Sequence, residues 1–151
     1  MDTVSPEIRS RVMAKVRSKR NRSTEWRLRA YLIRSGIRGW KLNPPDIRGQ
    51  PDFAFRKQRL LVFVDGCYWH GCPDCYRRPS SNRDYWDAKV ARNRARDVKT
   101  AAQLEQDGWR VLRIWEHQLT PADAVLKRIR AVLDQRATIR IPKSRPGVSC
   151  K

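Results

Sequence analysis

The spacing of apolar positions divides the chain into alternating helices and strands. From Ser23 to Ser35, Leu28, Tyr31 and Leu32 recur at helical intervals, with Ser23 placed to cap the amino end and Gly36 to stop the carboxyl end. Glu25 falls on the same stripe, three residues before Leu28. A turn-rich stretch, Asn43 to Pro51, leads into Asp52-Phe53-Ala54-Phe55 and then Leu60-Leu61-Val62-Phe63-Val64. The second run is continuously apolar, as in a strand buried on both faces, and the two read as a hairpin ending at Asp65-Gly66. A loop over residues 66–82 precedes a long helix from about Asp84 to Gln106, stopped by Gly108. Trp109 to Trp115 alternates as a strand, with Val111 and the two tryptophans on one side and Leu112 and Ile114 on the other. Thr120-Pro121 opens a last helix with Ala124, Val125, Ile129, Val132 and Leu133 inward. The order α, β, β, long α, β, α predicts an α/β fold, a small mixed sheet flanked by helices.

The 151 residues fit one domain, residues 23–134, between two basic segments. Residues 1–22 form an arm: a short helix starting at Ser5-Pro6-Glu7, then a mobile loop, Lys19-Arg20-Asn21-Arg22. Residues 135–151 are basic and contain proline, and are expected to be disordered. No apolar run approaches membrane-spanning length, and Met1 to Pro6 lack the core of a secretory leader, so the expectation is a cytoplasmic protein with no membrane partner and, by default, a monomer. Charge then narrows the partners. Lys and Arg number 34 against 15 Asp and Glu, a formal net charge of +19. Such a surplus attracts a polyanion and is strengthened by counterion release, which points to nucleic acid without separating DNA from RNA.

Cys67, Cys72 and Cys75 lie within nine residues, the last two at C-x2-C spacing, while Cys150 stands apart in the tail. Clustering of this kind favours metal over a disulfide framework, and a short turn can aim both sulfurs of C-x2-C at one tetrahedral Zn2+. The fourth ligand is expected to be His117, which neighbouring strands would bring to the loop; His70 and Asp74 compete for the place. A filled site of three cysteines and one histidine has no open position, so this zinc is structural. Catalysis has to come from elsewhere. Asp52 starts a strand, Asp65 ends one, and Glu25 and Asp97 lie on core-facing helix stripes. Buried carboxylates are costly unless paired or bound to a cation, and hard divalent ions such as Mg2+ take oxygen ligands. Three have a plain alternative: an arginine partner for Asp52, a helix-edge place for Asp97, a dipole-favoured charge for Glu25. Together they suit phosphodiester hydrolysis, with His70 as the proton shuttle.

Gly49-Gln50-Pro51-Asp52-Phe53, Phe63-Val64-Asp65-Gly66-Cys67-Tyr68-Trp69-His70-Gly71-Cys72, Asp107-Gly108-Trp109-Arg110-Val111-Leu112 and Trp115-Glu116-His117 together resemble the very-short-patch repair (Vsr) DNA mismatch endonucleases, over about residues 5–133. The resemblance implies a restriction-endonuclease-like fold with a zinc-braced loop. It also implies Mg2+-dependent nicking of double-stranded DNA beside the thymine of T·G mispairs left by deamination of 5-methylcytosine. On that basis Asp52 and the backbone carbonyl of Val64 bind Mg2+, and His70 is the general acid/base. Glu25 and Asp97 order metal-bound waters or the histidine, and Cys67, Cys72, Cys75 and His117 hold zinc. Asp65 departs from the family pattern, which can carry histidine there, and resembles the second carboxylate of the wider nuclease superfamily. Cysteine at 72 and histidine at 117 reverse choices also found in the family, which tetrahedral zinc accepts.

A mispair lowers the cost of unstacking, so an aromatic wedge can select it by deformability. Tyr68, Trp69 and Trp86 are assigned to intercalation, against the alternative that Trp86 is core; Lys15, Arg17, Lys19, Arg20 and Arg22 are assigned to phosphate contacts. Two other functions compete: a restriction-like or structure-specific nuclease indifferent to mismatches, and a non-enzymatic zinc-containing nucleic-acid binder.

Overall fold

Leu28 and Leu32, fully buried, dock the first helix, α1 (residues 24–34), on the sheet. Its carboxyl end closes as the pattern predicts. Gly36 adopts φ +74°, its N–H reaches Ile33 O at 3.2 Å, and the Ile37 N–H reaches Leu32 O at 3.0 Å, so two end carbonyls are satisfied and Ile37 folds back onto the core. The computed structural model describes residues 24–135 together with Ser5, Glu7, Ile8 and Arg11. The Ser23 cap, Lys15, Arg17, Lys19, Arg20 and Arg22 of the arm, and the tail from residue 136 lie outside the described residues. In the arm, Glu7 and Ile8 are helical and the Ile8 N–H lies 3.4 Å from Ser5 Oγ, in keeping with a start at Ser5.

After α1 come β1 (Lys41–Leu42), β2 (Phe53–Phe55), β3 (Leu60–Asp65), α2 (Arg83–Gln106), β4 (Arg110–Trp115), a 3-10 turn (Glu116–Leu119) and α3 (Ala122–Asp134). The strands form one mixed sheet in the order β1-β2-β3-β4. β1, β2 and β3 pair antiparallel; β3 and β4 pair parallel, joined through α2, with Val64 opposite Ile114 and Asp65 opposite Trp115. The hairpin, the fully buried β3 and the parallel β4 agree with the apolar pattern. β1, only two residues long, and the 3-10 turn were not foreseen, since neither is long enough to show a period.

Alternation along the strands divides the interior into two layers. Phe53, Phe55, Leu60, Val62, Val64 and Ile114 face α1 and α3. Ala54, Leu61 and Phe63 face Leu104 of α2, with Trp109 and Val111 packed against them. Burying a side chain such as Phe53 or Leu60 contributes about 1.5–3 kcal/mol, and both are fully enclosed. In α3, Val125, Leu126 and Ile129 are buried, whereas Ala124, expected inward, is exposed. It shares its helical face with Arg128 and Ala131, both exposed, and Leu126 takes the inward place. No helix among the described residues is long and apolar enough to cross a membrane.

Candidate active site and metal clamp

Strand polarity determines where the chemistry gathers. β3 and β4 run parallel, so their carboxyl ends lie together, and Asp65, the 66–75 loop and His117 follow from that one edge. Asp52 enters from the start of the hairpin: its N–H donates to Val62 O at 3.0 Å, and its Oδ2 accepts the Val64 N–H at 2.7 Å. On the α2 side of the sheet, a cavity of about 490 Å³ is lined by residues that include Gln50, Asp52, Asp65, His70, Asp97 and Arg113. Five chain segments thus converge on one space, and Asp52 and His70 share it.

Two glycines allow the approach. Gly49 (φ +81°) lies against Thr100, so a side chain there would strike the α2 methyl. Gly71 (φ +64°) sits under Val90 and Arg94 with no room for a Cβ. Arg94 also donates to the carbonyls of His70 and Gly71, and Asn93 donates to Trp69 O at 2.8 Å, which fastens the loop to α2.

Within the cavity, His70 Nδ1 lies 2.5 Å from Asp97 Oδ2 and 3.9 Å from Asp65 Oδ1. A carboxylate only accepts, so Nδ1 carries the hydrogen, and in the neutral imidazole Nε2 then offers its lone pair, the tautomer a general base needs. Asp65 is nine-tenths buried and accepts from Arg113 Nη1 through both oxygens at 2.8 Å, so its charge is already matched. Among the described residues, Asp52 has no such partner. Burial, first, then the charges of Glu25 and Asp65 push its carboxyl up to about 7, against the Val64 N–H and Arg113, which pull it down. A carboxylate this costly to ionise is stabilised by a cation beside it. Glu25 stands at the margin, where Asn43 links it to the hairpin: Asn43 Nδ2 donates to Glu25 Oε1 at 3.1 Å, and the Asn43 N–H donates to Asp52 O at 3.0 Å.

The second cluster lies on the other side of the loop. Cys67, Cys72, Cys75 and His117 present four ligand atoms within 4.8 Å of one another. His117 Nδ1 is 3.3 Å from Cys67 Sγ and 3.5 Å from Cys72 Sγ. Donors bound to one tetrahedral zinc stand about 3.5–3.8 Å apart, so the residues fit that ion. His70 faces Asp97 and Asp74 Oδ2 lies 3.7 Å from His117 Nε2; His117 is therefore the fourth candidate ligand, with Asp74 as its outer partner. Burial pushes the Cys67 thiol up to about 12, and the neighbouring Cys72 adds to the effect.

Beyond the clamp, Tyr68, Trp69 and Trp86 form one aromatic cluster, with ring centroids 5.2–5.8 Å apart. Trp69 is buried, 7% exposed, and backs the cluster in this conformation. Trp86 is only half-buried and Tyr85 is exposed, with Lys89 over the rings of Trp69, Tyr85 and Trp86. Sequence reasoning missed Arg113, Gln50 and Tyr85. Arg113 had a signal: position 113 falls on the inward side of β4 with Val111, where an arginine must find carboxylates.

A cavity lined by three carboxylates and a histidine can support acid–base chemistry beside a bound cation, and the comparison with known proteins narrows the class. The family model described as DNA mismatch endonuclease Vsr matches residues 1–77. A type II nicking enzyme, V.XorIIP of Xanthomonas oryzae pv. oryzae, is 42% identical over 135 residues, covering 88% of this chain and 97% of its own. V.NmeDIP of Neisseria meningitidis serogroup C, also a type II nicking enzyme, is 38% identical over 79% of this chain and 80% of its own. The DNA mismatch endonuclease Vsr of Escherichia coli is 32% identical over 64% of this chain and 62% of its own. The chain belongs to the Vsr family of DNA mismatch endonucleases, and it is a DNA endonuclease.

Proposed function

We propose that this endonuclease nicks one strand of duplex DNA at T·G mispairs arising from 5-methylcytosine deamination, and so initiates very short patch repair. The hydrogen bond from His70 Nδ1 to Asp97, in the cavity that Asp52 also lines, is the observation that carries the reading. It leaves Nε2 as a base for the attacking water. Asp52, with the backbone carbonyl of Val64, would hold Mg2+, an ion that polarises the phosphoryl oxygen and offsets charge on the leaving group when bound. Asp97 orients the imidazole, and Glu25 borders the same site through Asn43 and its charge on Asp52. Cys67, Cys72, Cys75 and His117 would hold a structural zinc that braces the loop carrying His70. Tyr68, Trp69 and Trp86 would enter the unstacked mispair, Trp69 on rearrangement of the cluster, while the basic arm, Lys15, Arg17, Lys19, Arg20 and Arg22, would grip phosphates. Nicking in place of double-strand cleavage agrees with the names of the related enzymes.

The test is a strand-specific assay with Mg2+ on duplexes that differ only in a T·G or a fully matched pair. The thymine strand of the T·G duplex is expected to be cut in preference, and Asp52→Asn and His70→Ala are each expected to lower the rate by about 10³-fold. Equal cutting of both duplexes would remove mismatch selection; unimpaired variants would remove the site.

A further inference from the structure

Arg113 sits on β4 opposite Phe63, with its guanidinium 4.6 Å from the centre of that ring. Nη1 donates to both oxygens of Asp65 at 2.8 Å, and Nη2 stands 3.7 Å from Asp97 Oδ1. The two carboxylates it touches also flank one imidazole nitrogen: His70 Nδ1 is 2.5 Å from Asp97 and 3.9 Å from Asp65. A single N–H can be directed at only one of them. Asp65 is the more buried of the pair, with its side chain 9% exposed against 18% for Asp97. Left unmatched, it would be the stronger attractor for a nearby donor, because a buried carboxylate lacks water to satisfy it. The guanidinium removes that pull by engaging both Asp65 oxygens, while its longer contact leaves Asp97 Oδ2 to the histidine. The stack on Phe63 keeps the fork where it can reach both.

We infer that Arg113 is a positioning residue that acts through Asp65: by occupying that carboxylate it commits the His70 ring to Asp97 and sets how the imidazole is turned in the cavity. The inference rests on the nuclease reading above. It explains how an acidic residue can stand so close to the proposed base without capturing it. It also separates the roles of the two carboxylates: Asp97 aims the imidazole, and Asp65 is held out of the way.

Single-turnover nicking of a T·G duplex by the full-length, zinc-loaded protein tests it in a two-by-two set: wild type, Arg113→Gln, Asp65→Asn and the double variant. Arg113→Gln is expected to lower the chemical rate constant by about 100-fold with DNA affinity within about threefold, because a mis-turned base affects the transition state and not the bound ground state. In the Asp65→Asn background, where no second carboxylate competes, the same change is expected to cost less than about threefold. An unimpaired Arg113→Gln enzyme overturns the inference, and so does a loss equally large in both backgrounds, since Arg113 would then act on the phosphate or the fold directly. If Arg113→Gln alone does not fold, the ratio of the double variant to Asp65→Asn decides by the same threshold. A wild type that nicks no DNA is a different result, one that sinks the nuclease reading and not the role of Arg113.

Discussion

The two clusters flanking the 66–75 loop solve the same electrostatic problem in opposite ways. In the candidate catalytic cavity, three elements of regular structure, β3, α2 and β4, carry Asp65, Asp97 and Arg113, and the arginine meets the charge of Asp65 directly and stands near that of Asp97. In the clamp, three of the four donors come from the loop itself and the fourth from a four-residue 3-10 turn. The cavity is preformed by the fold. The four donors of the clamp suit an ion, which on binding would displace the proton that burial holds on the Cys67 thiol. The difference explains how one short loop serves both: α2 holds one side through Arg94 and Asn93, and metal would hold the other.

Removing the metal from each side should therefore have unequal effects, and the largest is expected at the clamp. Cys72→Ser should abolish stoichiometric zinc and cost about 3–5 kcal/mol of stability, a fall of roughly 10 °C or more in Tm. Withdrawing Mg2+ should stop nicking and lower the Tm by much less than the loss of zinc does. Zinc affinity should also rise with pH, since binding releases thiol protons. Zinc analysis and thermal melts decide the matter: a Cys72→Ser protein as stable as wild type would break the contrast.

Legibility in the sequence follows the same division. The β2–β3 hairpin and the strand β4 were readable because each strand buries at least one face and so shows a period or a continuous apolar run. The gathering of Cys67, Cys72 and Cys75 was readable because candidate ligands to one ion must be close in a short loop. The convergence of Asp52, Asp65, His70 and Asp97 was guessed from carboxylates in costly places, and their distances were not. The Asp65–Arg113 pair left only half a signal, an arginine on the inward side of β4, because its partner is 48 residues away and meets it through the parallel register of β3 and β4. Ala124 misled because helical phase alone does not say which neighbour of an apolar residue is inward. Trp69, assigned to intercalation from its place in the motif, lies under its neighbours in this conformation, because large rings in one loop pack on each other first.

A smaller effect sharpens the contrast at the aromatic edge of the clamp. Trp86→Ala removes the half-buried ring next to Tyr68 and Trp69 while leaving both metal clusters intact. Loss of one stacking contact is worth about 1–3 kcal/mol, so preference for the T·G duplex over the matched one should fall by about 10- to 100-fold. Zinc content and the rate on an excess of T·G duplex should change much less. A Trp86→Ala enzyme with undiminished preference would assign that tryptophan to packing alone.

The smallest expected effect separates preformed from ion-dependent within the catalytic cavity itself. Arginine meets the charge of Asp65 but not that of Asp52, whose carboxyl is pushed from an ordinary value near 3.8 up to about 7, first by burial and then by Glu25 and Asp65. The folded protein therefore holds this proton more tightly than the unfolded chain does. The resulting stabilisation is complete below about pH 4 and is lost as pH rises through about 7, the reverse of a salt-bridged aspartate. In zinc-loaded protein without Mg2+, wild type should lose about 1–3 kcal/mol relative to Asp52→Asn between pH 4 and 8, since the asparagine cannot ionise. Adding Mg2+ should shrink that difference at pH 8 and leave it unchanged at pH 5, because a cation binds only the ionised form. Denaturant melts of the two proteins across this range, with and without Mg2+, provide the measurement. Parallel pH profiles would show that Asp52 is ionised without help, and the catalytic cavity would then be as self-sufficient at Asp52 as it is at Asp65.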